Sequence, residues 1–254
     1  MRAEVWISLP VVTGFLLVLA RVAGVFVFVP LPGVRSAPAM ARAVLAVSLT
    51  VALFPQWPSQ PVAGLGALAA SVVGEAALGS AVGLAVAFIT ESFAMAAQLV
   101  GLQAGFGYAT TVDPSSQSSS AILQVLAQLA AGLLFFASGG EGVVLRILAS
   151  SLEAHPAGSF ALARAPAEAL LATGSLIFSA GLRLALPVLA LLILVDVALA
   201  LLGRLNAHLQ LLMLAFPAKM LASLLLLAWV AALWPAVWRG VAAATLGAAR
   251  MVAR

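Results

Sequence analysis

The chain has 254 residues, of which 64% are hydrophobic and only 8% charged, and its mean hydropathy is +1.19; a water-soluble domain carries about 25% charged residues. This composition excludes an ordinary soluble domain and predicts a membrane-class protein. Cysteine is absent, which removes disulfides, thiolate metal sites and cysteine nucleophiles, and the net charge of +4 comes from scattered arginines and one lysine rather than from a basic stripe suited to nucleic acid.

Apolar runs bounded by breakers divide the chain into six hydrophobic segments. The first, Val5 to Val29, exceeds the roughly 20 residues an apolar helix needs to cross a bilayer. It is also longer than the apolar region of a secretory signal, about 7 to 15 residues, so it is expected to be retained. After the turn "VPLPGVRSAP" comes Ala39 to Phe54, and after "FPQWPSQP" a third segment from Val62 to about Gly105. As one helix at 1.5 Å per residue that segment would stretch about 65 Å, twice the hydrocarbon thickness, so it must bend, break or leave the bilayer. Ala121 to Ala137 follows, then "GGEGVVLRILASSLE", Gly139 to Glu153, whose pattern predicts a short amphipathic helix at an interface or against a partner. Beyond "EAHPAGSFALARAP" lie Ala167 to Leu202 and Leu209 to Val237. The prolines of these joints remove donors and bias their neighbours away from helix. No fixed-period repeat and no second domain are visible, and the loop arginines do not settle orientation, because their alternation depends on how the third segment is counted.

Five ionisable residues fall inside apolar stretches: Arg21, Glu75, Glu91, Asp196 and Lys219. At a helix centre each costs about 2.5 to 3.5 kcal/mol on insertion scales, so such a group normally faces a partner or a watery cavity. The alternative is that Arg21 and Lys219 snorkel and the acids sit at segment ends. Gly79 with Gly83, and Gly101 with Gly105, have the small-xxx-small spacing that permits close helix approach in lipid. Close packing is expected from them; a specific dimer face is not. The two histidines, His155 and His208, have no acid or nucleophile at a recognisable spacing. There is no GxSxG, no HExxH and no glycine loop ending in Lys-Ser or Lys-Thr. Neither enzyme activity nor a cofactor or metal site is expected.

The run "GFGYATTVDPSSQSSS", Gly105 to Ser120, is polar yet carries only one formal charge, Asp113. An irregular loop at membrane depth persists only where protein buries it or water reaches it. Rings of polar groups and apolar constrictions form selectivity and gating elements; the plainer reading is an exposed turn started by Asp113-Pro114.

The stretch "QLVGLQAGFGYATTVDPSSQSSSAILQVLAQLAAGLLFFASGGEGVVLRIL", Gln98 to Leu148, resembles the signature region of the FliR family of flagellar biosynthetic and type III secretion export-gate proteins. Leu16 to Pro55, with an arginine in a span, a proline and an arginine-bearing turn, is similar to the family's opening. Gly181 to Leu227, with Pro187, Asp196, Arg204 and "FPAK", is similar to its end. The chain departs from the family pattern at "LNAHLQ" and "GGEG", so no role is carried onto His208 or Glu141.

The resemblance implies an all-α fold of polytopic hydrophobic helical hairpins that packs into a helical export-gate assembly, as a single export-gate domain over 1–254, about 1–185 similar to a FliP-like subunit and about 186–254 to a FliQ-like one. It implies a single copy working with FliP-like and FliQ-like subunits and with FlhB-like and FlhA-like export proteins in the bacterial inner membrane, in the flagellar basal body, passing unfolded protein substrates. It places Gly105, Phe106, Gly107, Tyr108, Thr110, Thr111, Asp113, Pro114, Ser115, Ser116, Gln117 and Ser118 in the family's plug, with Phe106 and Tyr108 filling the channel and Gly105 and Gly107 letting the backbone leave the helix. Arg21, Glu75, Glu91, Asp196 and Lys219 become buried charges for assembly. An injectisome counterpart, or an independent small-solute transporter, remains as the alternative; the inverted repeats with broken helices expected of a transporter are not seen.

Overall fold

The structure is a computed structural model that describes residues 8–29, 39–58, 64–106, 121–159, 164–205 and 211–253. Among them every regular element is helical. In chain order these are α1 (Leu9–Phe28), α2 (Ala39–Ala52), α3 (Leu65–Ala104), α4 (Ala121–Ala137), α5 (Gly140–Ala154), α6 (Arg164–Leu205), α7 (Leu211–Val230) and α8 (Trp234–Val252). Short 3-10 turns occupy Phe54–Gln56 and Ala231–Leu233.

The local chemistry accounts for the helix ends. Pro10 occupies the first turn of α1, where its missing N–H would find no intrahelical acceptor in any case. Thr13 and Thr50 return their hydroxyls to carbonyls one turn back, at Leu9 (3.1 Å) and Ala46 (2.7 Å). Ser223 and Thr245 do the same to Met220 (2.8 Å) and Ala242 (3.3 Å). A hydroxyl in an apolar span thereby satisfies itself without water. Between α4 and α5 the chain turns at Gly139, whose φ of +70° is a left-handed value that glycine adopts without steric cost.

Two boundaries, those of the fifth and sixth segments, differ from the sequence expectation, and for the third segment one of the three expected alternatives, a break, does not occur. The third segment does not break: α3 is one helix of 40 residues, about 60 Å long, with no proline to interrupt it. It therefore exceeds a bilayer unless strongly tilted. The fifth segment starts earlier, at Arg164, because Pro166 lies in the first helical turn, which tolerates it. The sixth does not end at Val237; after one 3-10 turn the helix continues to Val252. The tail after Val237 is rich in alanine, the strongest helix former, and turns a buried side of Val241, Ala242, Thr245, Ala248, Ala249 and Val252 to the protein.

The chain forms two compact units. Unit 1 contains 1–88, 135–174 and 242–254, and unit 2 contains 89–134 and 175–241. In unit 1 the core is built from Leu17, Val18, Val22 and Val25 of α1, Leu78, Val82 and Val86 of α3, and Val144, Ile147, Leu148 and Leu152 of α5. In unit 2, α6 buries Leu184, Ala185, Val188 and Leu192 at helical spacing and exposes Leu186, Ile193, Leu194, Val197 and Leu201. Four helical stretches among the described residues are long and apolar enough to cross a membrane. Two of them are hardly covered by the chain itself: 22% of the most apolar window is buried in Leu171–Arg204 and 11% in Pro217–Val252. A protein of this composition with such bare helices is membrane-embedded.

The glycines of α3 define how closely unit 1 packs. A Cβ at Gly79 would lie 1.9 Å from the carbonyl oxygen of Arg21, one at Gly83 would lie 2.5 Å from that of Val25, and one at Gly24 would lie 2.6 Å from that of Ala76. The small-residue spacing thus serves a backbone-to-backbone contact between α1 and α3 inside one chain. Gly79→Ala is expected to destabilise unit 1 by about 1–3 kcal/mol or more. Gly66→Ala, at a helical site with nothing within 4 Å of the new methyl, is expected to be neutral or stabilising by about 0.5–1 kcal/mol. Thermal midpoints of the two variants in detergent compare them directly.

Candidate functional site

Glu75, Gly79 and Gly83 follow one another at four-residue steps, which puts them on one stripe of α3. That stripe faces Arg21, Gly24 and Val25 of α1. The bare backbone contact at the glycines brings the two charged side chains together: Arg21 Nε donates to Glu75 Oε2 at 2.5 Å, and both side chains are 1% exposed.

The pair is closed off by the end of α5. Arg21 Nη1 donates to the carbonyl of Ser151 at 2.8 Å and to its hydroxyl at 3.2 Å, and Nη2 donates to the carbonyl of His155 at 2.8 Å. The Ser151 hydroxyl in turn donates to the Leu148 carbonyl at 2.7 Å. The Ser151 carbonyl also accepts the His155 N–H at 2.9 Å, and the negative end of the helix dipole at this terminus suits a guanidinium. The other Glu75 oxygen, Oε1, accepts from the backbone N–H of Gly158 at 2.8 Å, just past the helix. One arginine and one glutamate therefore hold α1, α3 and the C-terminal end of α5 in register. His155 contributes its backbone carbonyl to this cluster.

A second cluster lies in unit 2. Lys219 Nζ on α7 meets Asp196 Oδ1 on α6 at 2.6 Å, and Asp196 Oδ2 accepts from Gln103 Nε2 on α3 at 2.9 Å. Lys219 is 14% exposed and Asp196 40%, so this pair is open to whatever covers unit 2. Glu91, half-buried on α3, is engaged as well. The five charges singled out in the sequence thus include two ion pairs, one in each unit.

Gln103 sits two residues before Gly105, the root of the polar run. There α3 ends in a Schellman motif: Gly105 has φ +85°, its N–H bonds to the Leu102 carbonyl at 3.2 Å, and the Phe106 N–H reaches the Gly101 carbonyl at 3.0 Å. The chain leaves the helix at Gly105, and Phe106 is half-buried beside it. Gly107, Tyr108, Thr110, Thr111, Asp113, Pro114, Ser115, Ser116, Gln117 and Ser118 lie outside the described residues. Among the described residues no cluster of His, Asp and Glu is arranged to hold a metal ion.

Sequence reasoning missed the partners of these charges. Gln103, the Ser151 and His155 carbonyls and Gly24 carry no signal of their own, although Gln103 is conspicuous as an amide inside an apolar run. A double-mutant cycle at Arg21 and Glu75 weighs the buried pair. Arg21→Met alone leaves a carboxylate buried without its cation, and a cost of about 3–5 kcal/mol is expected. Arg21→Met with Glu75→Leu should be less destabilised than the sum of the two singles, as read from thermal or denaturant unfolding of the full chain.

The profile of the family described as bacterial export proteins, family 1, matches residues 12–244. The flagellar biosynthetic protein FliR of Escherichia coli (strain K12) is 32% identical over 212 residues, which cover 83% of this chain and 81% of that protein. The flagellar biosynthetic protein FliR of Caulobacter vibrioides is 25% identical over 215 residues, 84% of this chain and 86% of the relative. That of Pectobacterium carotovorum is 29% identical over 158 residues, 62% of this chain and 60% of the relative. The match spans both charge clusters and the polar run between α3 and α4, and the chain belongs to bacterial export proteins, family 1, the family of the flagellar biosynthetic protein FliR.

Proposed function

We propose that this chain is a single-copy subunit of the flagellar protein export gate and that it both forms and seals the channel taken by unfolded export substrates. Its neighbours in that gate are FliP-like and FliQ-like subunits, with FlhB-like and FlhA-like export proteins beside them, in the bacterial inner membrane at the flagellar basal body. Family membership supports a place in the flagellar export apparatus, and the relatives matched are flagellar by name rather than injectisome proteins. Residues of about 1–185 correspond in this reading to a FliP-like part and those of about 186–254 to a FliQ-like part.

The observation that carries the sealing role is the root of the polar run. A stopper needs a fixed base, and α3 ends in a glycine-capped turn at Gly105. Two residues earlier, Gln103 is tied to Asp196 and through it to Lys219. From that base Phe106 and Tyr108 fill the lumen, and Thr110, Thr111, Asp113 and the serines from Ser115 hydrogen-bond to its wall. A hydroxyl-rich segment with one carboxylate blocks ions without fixing a strong charge in the path, and an arriving substrate displaces it. The bare faces of α6 and α7 support the other half of the reading, because sister subunits around a hollow axis give them apolar cover. Asp196, with its partly open carboxylate, then stands where neighbouring subunits meet.

Deleting Thr110 to Ser120 tests the sealing role. Assembled gates carrying the deletion should leak ions severalfold more than wild type while still assembling. Conductance equal to wild type in assembled gates removes the stopper role.

A further inference from the structure

Unit 1 contains a polar feature that the sealing role does not use. A cleft of about 590 Å³, lined by Val143, Arg146, Ile147, Ser150, Glu153 and Arg250, opens beside α5. Its volume lies in the range of small-ligand sites, about 300–1,000 Å³. Arg146, Ser150 and Glu153 stand at i, i+4 and i+7, on one face of α5. Arg250 comes from the last turn of α8. All four are exposed, whereas Ile147 at the floor is 2% exposed. Among the described residues none of the three charges is paired within the chain. The cleft thus offers two cations, one anion and a hydroxyl over an apolar floor.

We propose that this cleft binds the headgroup of phosphatidylethanolamine. Arg146 and Arg250 take the phosphate, for which the planar guanidinium is well matched, while the Ser150 hydroxyl, which donates to the Ile147 carbonyl at 3.0 Å, keeps its oxygen as an acceptor for the ammonium. Glu153 accepts from the primary ammonium, which has N–H donors that a quaternary choline lacks. Both signs of charge in one cleft fit a zwitterion. An acidic peptide, or a headgroup bearing only negative charge, would meet Glu153 as a like charge at a cost in specificity. Val143 and Ile147 give the glycerol end an apolar surface. The setting agrees: α5 and α8 each bury one apolar face and turn charged residues outward, the arrangement by which an amphipathic helix meets lipid headgroups. The inference is independent of any stopper between α3 and α4.

The purified full chain, loaded with phosphatidylethanolamine, phosphatidylcholine or phosphatidylglycerol and examined by native mass spectrometry, provides the test. Wild type should retain the ethanolamine lipid about tenfold better than the other two. Arg146→Ala with Arg250→Ala should lose that retention for all three lipids. Glu153→Gln should equalise ethanolamine and choline lipids while phosphate binding persists. If the double variant folds poorly, Arg250→Gln carries the same expectation at reduced size. Equal retention by wild type and the arginine variants overturns the proposal, as does preference for phosphatidylglycerol over phosphatidylethanolamine. Soluble phosphoethanolamine binding as tightly as the lipid would make the free zwitterion the ligand and would equally end the lipid assignment.

Discussion

Unit 1 depends on one guanidinium. Arg21 is 1% exposed, and each of its three side-chain nitrogens donates to a protein acceptor on Glu75, Ser151 or His155. A buried cation without such partners would cost several kcal/mol. The arrangement in turn requires α1 and α3 to touch backbone to backbone, since a Cβ at Gly79 would collide with the carbonyl of Arg21 itself. The ion pair and the glycine stripe are therefore a single device: the glycines set the approach that lets the charges meet, and the charges fix the register at which the glycines fit. The same guanidinium satisfies the His155 carbonyl just past the end of α5 and adds a second donor to the Ser151 carbonyl, which already accepts the His155 N–H, so the axial placement of a third helix is fixed as well.

The second cluster repeats the logic with a looser seal. Asp196 uses one oxygen for Lys219 and the other for Gln103, which ties three helices of unit 2 immediately before the chain departs at Gly105. Its greater exposure separates it from the Arg21 pair, which is wholly internal. An open carboxylate amid bare leucines on α6 and α7 belongs to a surface that expects further cover. That expectation, together with family membership, places the chain in an assembly.

Much of this was legible in the sequence, and the rest was hidden for physical reasons. Apolar runs located α1, α3, α6 and α7, because a span of hydrocarbon demands a run of that length. The positive φ at Gly105 agrees with the reading of Gly105 as the exit from the helix. The charges in apolar stretches marked Arg21, Glu75, Asp196 and Lys219 as residues requiring partners, but not which partners. Arg21 and Ser151 are 130 positions apart, and the acceptor there is a backbone carbonyl that every residue possesses. The spacing of Gly79 and Gly83 announced close packing without naming α1. The helix beyond Val237 was missed because it is amphipathic and alanine-rich, and hydropathy responds only to continuous apolar runs.

The central claim is that the bare faces of α6 and α7 are covered by sister subunits. Photo-crosslinking amino acids placed at Leu194 and Leu225, which are 63% and 73% exposed, measure this directly in cells that assemble the export apparatus. The account predicts adducts with other export-gate proteins at both positions. Adducts with lipid alone, from a chain that purifies as a stable monomer, would contradict it.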